Sequence, residues 1–204
     1  MSPPARPARG NRRRTWRETP FASLDFETTG LDVERDHVVS FGVVPIDDAR
    51  IHVGRSVHQL VSPAAPSSVV SMKVHGILPR DVEDAPAIEE ARELLRSNLE
   101  GRIVLAWFAG IELAFLRRSF GGGERWWRRR TIDVLDLVTA LERPGPDARL
   151  SLSATAKRYD VPVDDPHSAL DDALVTAQLF LVVATKLEER GVRTIRDLSR
   201  LRRR

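Results

Sequence analysis

Two acids stand one residue apart in Ser23-Leu24-Asp25-Phe26-Glu27-Thr28-Thr29-Gly30-Leu31. In a strand, residues two apart share a face, so Asp25 and Glu27 project together while Leu24 and Phe26 point the other way. Two carboxylates on one strand face repel each other and lose hydration together. A divalent cation removes both costs, and close carboxylates are how proteins hold Mg²⁺ or Mn²⁺ for phosphate chemistry. The same tripeptide suits an exposed edge strand with an acidic polar face, and alone it does not choose between the two. Gly30 permits a tight reversal, with the hydroxyls and amides of Thr28 and Thr29 placed to face a ligand.

Acids return in Pro166-His167-Ser168-Ala169-Leu170-Asp171-Asp172-Ala173. Ser168 suits a helix N-cap. Asp172 then shares a helical face with Ala169 and Thr176, while Asp171 lies about 100° round the helix. A histidine five residues before an acid is, taken bare, as consistent with a surface or capping residue as with a catalytic one.

These groups need a scaffold, and 204 residues suffice for one compact domain with a sizeable core. The absence of cysteine excludes disulfides, thiolate metal sites and cysteine nucleophiles. No apolar run approaches the ~18 residues of a membrane span, and no secretory segment follows the N-terminal arginines. A cytoplasmic protein without a membrane association is the expectation. The net charge of +3 conceals an asymmetry. Residues 1–20 hold six Arg against one acid, and residues 193–204 hold six Arg against one acid. The body between them carries 20 basic and 27 acidic residues. Basic ends suit phosphate contacts or simply solvated tails. The acidic body must meet nucleic acid through metals and a local groove.

The pattern divides the chain into a disordered basic arm at 1–19, a domain at 20–190 and an Arg-rich C-terminal helix at 191–204. Strands are expected at Ala22–Phe26, Val38–Ile46 and Ile51–Val61, the last with Ile51, Val53, Val57 and Val61 on one face. Short connections make these three an antiparallel meander. Helices follow at Pro86–Leu99, with Pro86 at its first turn, and at Ile111–Phe120, with a fully apolar fourth strand, Ile103–Phe108, between them. Thr131–Leu141 begins as a short strand or turn and continues as a helix, where Asp133 and Asp136 look like a cap and an exposed acid. Leu150–Tyr159, Ser168–Leu187 and Val192–Leu201 complete the helices. Strands first, then alternation, argue for one α/β domain on a mixed sheet. Trp126-Trp127-Arg128-Arg129-Arg130 has the composition of a nucleic-acid strip, or of a loop that packs its tryptophans on the body.

At this point the sequence resembles the DEDDh 3′–5′ exonucleases, the group that includes the proofreading epsilon subunit of bacterial DNA polymerase III. The first motif matches through Asp25-Phe26-Glu27-Thr28-Thr29-Gly30-Leu31 and the last through His167-x-Ala169-x-x-Asp172-Ala173. Val74-His75-Gly76-Ile77 and the run from Ser151-Leu152 to Tyr159-Asp160-Val161-Pro162 also fit, so the likeness covers about residues 21–185. The middle motif departs. Where the family runs His-Asn-Ala and then, two residues later, Asp, this chain has Trp107-Phe108-Ala109-Gly110-Ile111-Glu112, with Phe115-Leu116 anchoring the register.

The resemblance implies a ribonuclease H-like mixed five-stranded sheet, three antiparallel strands and then parallel ones, flanked by helices. It implies two-metal hydrolysis of phosphodiester bonds in single-stranded DNA or short RNA, releasing nucleoside 5′-monophosphates. Asp25, Glu27 and Asp172 would ligate two Mg²⁺ or Mn²⁺ ions, with Glu112, one methylene longer than the family's Asp, as the fourth carboxylate. His167 would be the general base, since free imidazole titrates at ~6.5. Thr28, Thr29 and Gly30 would lie against the terminal nucleotide. His75 would face that nucleotide too, or serve the structure beside Gly76. Trp107 and Phe108 would stack on a base or fill core beside the cleft. A DNA polymerase or another replication or repair protein is an implied partner, and a homodimer through the final helices stays open. The competing reading is a weakened nuclease fold that binds nucleic acid or a protein partner without cutting.

Overall fold

The computed structural model describes residues 3–4, 14–145, 148 and 150–201. Its first strand, β1 (Phe21–Thr28), pairs antiparallel with β2 (Val38–Asp47), with Asp25 opposite Gly42. β2 then carries two short strands on its other edge, β3 (Arg50–Ile51) and β4 (Val57–Leu60). These two pieces replace the single strand expected over Ile51–Val61. In the register of β3, Val43 would face Gly54, yet it faces Val57. A 3₁₀ turn at Val53–Arg55 takes up the three extra residues, so Val53 turns outward and the expected one-face stripe breaks. Hence the sheet has six strands, not five.

The chain continues through α1 (Val69–His75) and α2 (Ile88–Leu99) into β5 (Ile103–Ala106), which lies parallel to β1. Then come α3 (Gly110–Phe120), α4 (Glu124–Arg128) and β6 (Thr131–Asp133), the last parallel to β5 with Ala106 opposite Asp133. Helices α5 (Val134–Glu142), α6 (Leu152–Arg158), α7 (Ala169–Glu189) and α8 (Ile195–Leu198) finish the fold. The carboxyl ends of β1, β5 and β6 therefore lie together. That end is where open α/β sheets place their ligand crevices.

Each face of the sheet has its own core. Ala22, Leu24 and Phe26 of β1 meet α2, α3 and Trp127 on one face. Phe21 of β1 and Val44 and Ile46 of β2 meet the helices α5 to α8 on the other. Strand alternation puts Asp25 and Glu27 on this second face, which α7 covers. α7 is held by Val175, Leu179, Phe180 and Val183, all buried.

Residues 14–19 differ from the expected arm. Trp16 is 1% exposed and meets Phe180 edge-on at 5.9 Å. Its amide donates to the Arg193 carbonyl at 3.0 Å, and Thr15 bridges Thr194. Arg17 pairs with Glu188 at 2.7 Å. The prolines and arginines around Trp16 dominate the composition, while one indole buries enough apolar surface to seat the segment. Most of the arm, residues 1–2 and 5–13, lies outside the described residues. The final helix is likewise part of the domain. It is shorter than expected, and Ile195 and Leu198 belong to the α7 core. Trp16→Phe is therefore expected to lower stability by about 1–2 kcal/mol, read as a lower urea midpoint at unchanged slope. An unchanged midpoint would return the segment to the arm.

Trp127 is fully buried and donates from its indole to the Gly121 carbonyl at 2.8 Å, while Arg130 stacks over Trp126 at 4.6 Å. Of the two readings of this stretch, the tryptophans packing on the body is the one observed.

Candidate active site

Asp25 and Glu27 end up where the alternation put them, under the first turn of α7. Asp172 comes down from that turn, and one ligand oxygen from each of the three carboxylates lies within 4.8 Å of the others. Glu112 approaches from the first turn of α3. It stands outside that trio, is 6% exposed, and its Oε2 has no protein partner. Four acids from three elements thus converge at the carboxyl end of the central strands.

The electrostatics follow from that convergence. Burial first, then the charges of Glu112, Glu27 and Asp172 in that order, hold the Asp25 carboxyl well above the usual carboxylate range. Burial and then the Asp172 charge push Glu27 up to about 8. Burial also pushes Glu112 up to about 8, with Asp133 and Glu27 adding to the rise and its own backbone amide opposing it. Asp172 is raised by burial and drawn back by His167. A set of oxygen donors at least half-buried, with an orphaned oxygen on Glu112, fits a hard divalent cation. The donor set contains no nitrogen or sulfur, so it favours Mg²⁺ or Mn²⁺ over softer metals.

A residue that sequence reasoning passed over lets α7 reach the sheet. Gly42 sits opposite Asp25 on β2. A Cβ there would run into the Ala169 carbonyl and stand 2.5 Å from the Leu170 Cα, both backbone of the first turn of α7. The missing side chain is what lets Asp172 descend to Asp25 and Glu27. The signal in the sequence is a lone glycine inside an apolar strand, which marks a close backbone approach.

The other expected site residues fall out differently. His167 is exposed at the rim, in the left-handed region at φ 68°, and its amide donates to Asp172 Oδ2 at 3.3 Å. Ser168 holds the N-cap position without a side-chain bond. The Thr28 and Thr29 hydroxyls serve the loop. Thr28 donates to the Gly30 carbonyl at 2.6 Å, and Thr29 donates to Asp36 Oδ1 at 2.8 Å while accepting from the His37 amide. Gly30 is not in a left-handed conformation, and a Cβ there would crowd the Asp36 carboxylate, 2.7 Å from Oδ1. His75 closes its own turn, its Nδ1 accepting from the Ile77 amide at 3.0 Å beside the left-handed Gly76. Burial lowers its pKa, and the Thr28 backbone opposes that.

In the middle motif, Trp107 packs against the α7 core. Phe108 is 55% exposed, at φ 56°, on the edge of a groove of about 440 Å³ shared with Leu113, Arg117 and Asp133. Asp133 does cap α5 through the Leu135 amide, as expected, but it also reaches back to the Phe108 and Ala109 amides.

The exonuclease family RNase_T matches residues 23–180. A DNA polymerase III PolC-type protein of Thermotoga petrophila is 32% identical over 185 residues, which is 89% of this chain and 13% of the relative. A DNA polymerase III subunit epsilon-like protein of Rhodobacter capsulatus is 32% identical over 177 residues, 85% of this chain and 25% of the relative. The chain thus spans a quarter or less of these two proteins. Among solved structures, Exonuclease X in complex with 5′-overhanging duplex DNA has a TM-score of 0.65 at 24% identity, covering 89% of this chain and 98% of that one. Escherichia coli Exonuclease I in complex with a dT13 oligonucleotide has a TM-score of 0.72 at 16% identity, covering 85% and 42%. At these identities the solved structures bear on the fold, and they share the ribonuclease H-like arrangement seen here. The chain belongs to the RNase_T exonuclease family, and with it to the 3′–5′ exonucleases that its first and last carboxylate motifs resemble.

Proposed function

We propose that this domain removes nucleotides from the 3′ end of single-stranded DNA, releasing nucleoside 5′-monophosphates. Asp25, Glu27, Asp172 and Glu112 hold two Mg²⁺ or Mn²⁺ ions in this reading. The observation that carries it is the convergence of four acids from β1, α3 and α7, Glu27 and Glu112 buried and Asp25 and Asp172 half-buried, with an orphaned oxygen on Glu112. A module that only binds nucleic acid gains nothing from acids that repel phosphate. When bound, the ions supply the positive charge that activates water and stabilises the departing 3′ oxygen. His167, at the open rim and tied by its amide to Asp172, takes the proton of the attacking water. With the Thr28 and Thr29 hydroxyls committed to the loop, the exposed Leu31 and Phe108 offer the apolar faces on which bases stack.

DNA is favoured over RNA because relatives carry DNA polymerase names and the bound molecules named with Exonuclease X and Exonuclease I are DNA. The same names support work beside a DNA polymerase or another replication or repair protein in the cytoplasm. Among the described residues no helix is long and apolar enough to cross a membrane.

The deciding experiment is digestion of 5′-labelled single-stranded oligonucleotides, DNA and RNA in parallel, with Mg²⁺, Mn²⁺ or EDTA. A ladder shortening from the 3′ end on DNA, abolished by EDTA, is expected. An oligonucleotide that is bound yet left whole under both metals would instead favour the binding module.

The raised carboxylates also set a pH dependence. Between the ordinary value of 4.5 and about 8, the folded metal-free protein keeps protons on Glu27 and Glu112 that the unfolded chain has released. Stability from these groups is therefore full below 4.5 and falls as pH rises towards 8. In EDTA the melting temperature should drop across this window, and saturating Mg²⁺ or Mn²⁺ should suppress the drop, because ligation needs the deprotonated form. Calorimetric scans at pH 5, 6.5 and 8 check it, and a rise in EDTA would contradict the assignment.

A further inference from the structure

Asp133 makes more bonds than a helix cap requires. One amide, Leu135, at 3.0 Å from Oδ1, is enough to start α5. The same Oδ1 also accepts from the Phe108 amide at 3.1 Å, and Oδ2 accepts from the Ala109 amide at 3.0 Å. Those two amides lie on another element, in the turn between β5 and α3. The parallel register, Ala106 opposite Asp133, brings the carboxylate under that turn. The turn is one the chain does not adopt readily, since Phe108 sits at φ 56° without being glycine. Ala109, the N-cap of α3, has no side chain with which to cap that helix. Four residues beyond Phe108, in the first turn of α3, stands Glu112 with its orphaned oxygen.

We infer that Asp133 is a positioning residue: its two oxygens clamp the Phe108–Ala109 turn in its left-handed form and thereby aim Glu112 at Asp25. The inference rests on the reading of Glu112 as the fourth carboxylate of the metal site. It gives the departed middle motif a physical role. A longer acid in the third position needs a fixed helix start, and the clamp supplies it from outside the motif. The side chain touches no substrate in this account and acts only through Glu112.

The test is Mn²⁺ binding by calorimetry on the full chain, for wild type, Asp133→Ser, Glu112→Gln and the double variant. Serine retains the cap on α5 but is too short to reach the β5–α3 turn. The expected result is a loss of about 10-fold in Mn²⁺ affinity for Asp133→Ser, the size of an outer-shell effect at a metal site. Glu112→Gln should lose at least as much, and the double variant no more than Glu112→Gln alone, because both act on one carboxylate. Adding Phe108→Gly to Asp133→Ser should restore part of the affinity, since glycine takes positive φ without a clamp. Wild-type affinity in Asp133→Ser, or losses that multiply in the double variant, would reduce Asp133 to the cap of α5. An unchanged affinity in Glu112→Gln would remove Glu112 from the metal site and the inference with it, while the oligonucleotide ladder of the wild type would still stand or fall separately.

Discussion

Asp25→Asn should abolish exonuclease activity and, in EDTA at pH 8, raise the melting temperature. The two effects have one cause. Asp25 is the acid on which the other three converge, and burial together with their charges penalises its ionised form. Asparagine has the same shape and no charge, so the metal-free fold loses a repulsion and the proposed metal site loses a central ligand. A ligand at a two-metal site contributes several kcal/mol to transition-state stabilisation, so activity should fall by at least about 10²-fold. For a chain of this size each kcal/mol of relieved repulsion is worth about 2–4 °C. The stabilisation that Mn²⁺ gives the wild type should shrink in the variant. A destabilised variant, or one cutting DNA within a few fold of wild type, would show that Asp25 is a structural acid. Gain of stability with loss of function is the expected mark of an active-site group held against its own preference.

The placement of the carboxylates was legible where it follows a local period. Asp25 and Glu27 needed only the two-residue alternation of a strand. Asp172 needed only a cap position and the helical repeat, and its carboxylate lies beside theirs. What stayed hidden depends on contacts between distant segments. Trp16 looked like part of an arm because its neighbours are arginine and proline, and nothing local announces Phe180 as its partner. Thr28 and Thr29 looked free to face a ligand, yet short hydroxyl side chains compete for nearby main-chain and loop groups, and here the loop won. Asp133 was readable as a cap. Its second and third bonds depend on the pairing of β5 with β6, which no spacing in the sequence encodes. The fourth carboxylate lies between these cases. Its position followed from the motif register, whereas its burial and free oxygen required the structure.

The tightest dependence in the site falls on a residue without a side chain. Gly42 is not in a left-handed conformation, so alanine there strains no dihedral angle and the effect is purely one of contact. The methyl group would meet rigid main chain at Ala169 and Leu170 rather than a side chain that can turn away. The first turn of α7 must therefore rise by roughly 1 Å to regain an ordinary carbon contact, lifting Asp172 away from Asp25 and Glu27. Displacements of that size cost about 10² in rate at sites that depend on orientation, and overpacking alone costs about 1–3 kcal/mol of stability. Gly42→Ala should thus lose about 10²-fold in activity with Mg²⁺, which demands near-ideal octahedral geometry. It should lose less with Mn²⁺, which carboxylates bind more tightly. The ratio of Mn²⁺-supported to Mg²⁺-supported cutting separates this geometric effect from general destabilisation, which would lower both equally. An unchanged ratio with a lowered melting temperature would mean that Gly42 serves only the packing of α7 on the sheet. A raised ratio would place the control of metal geometry in β2, a strand that contributes no ligand of its own.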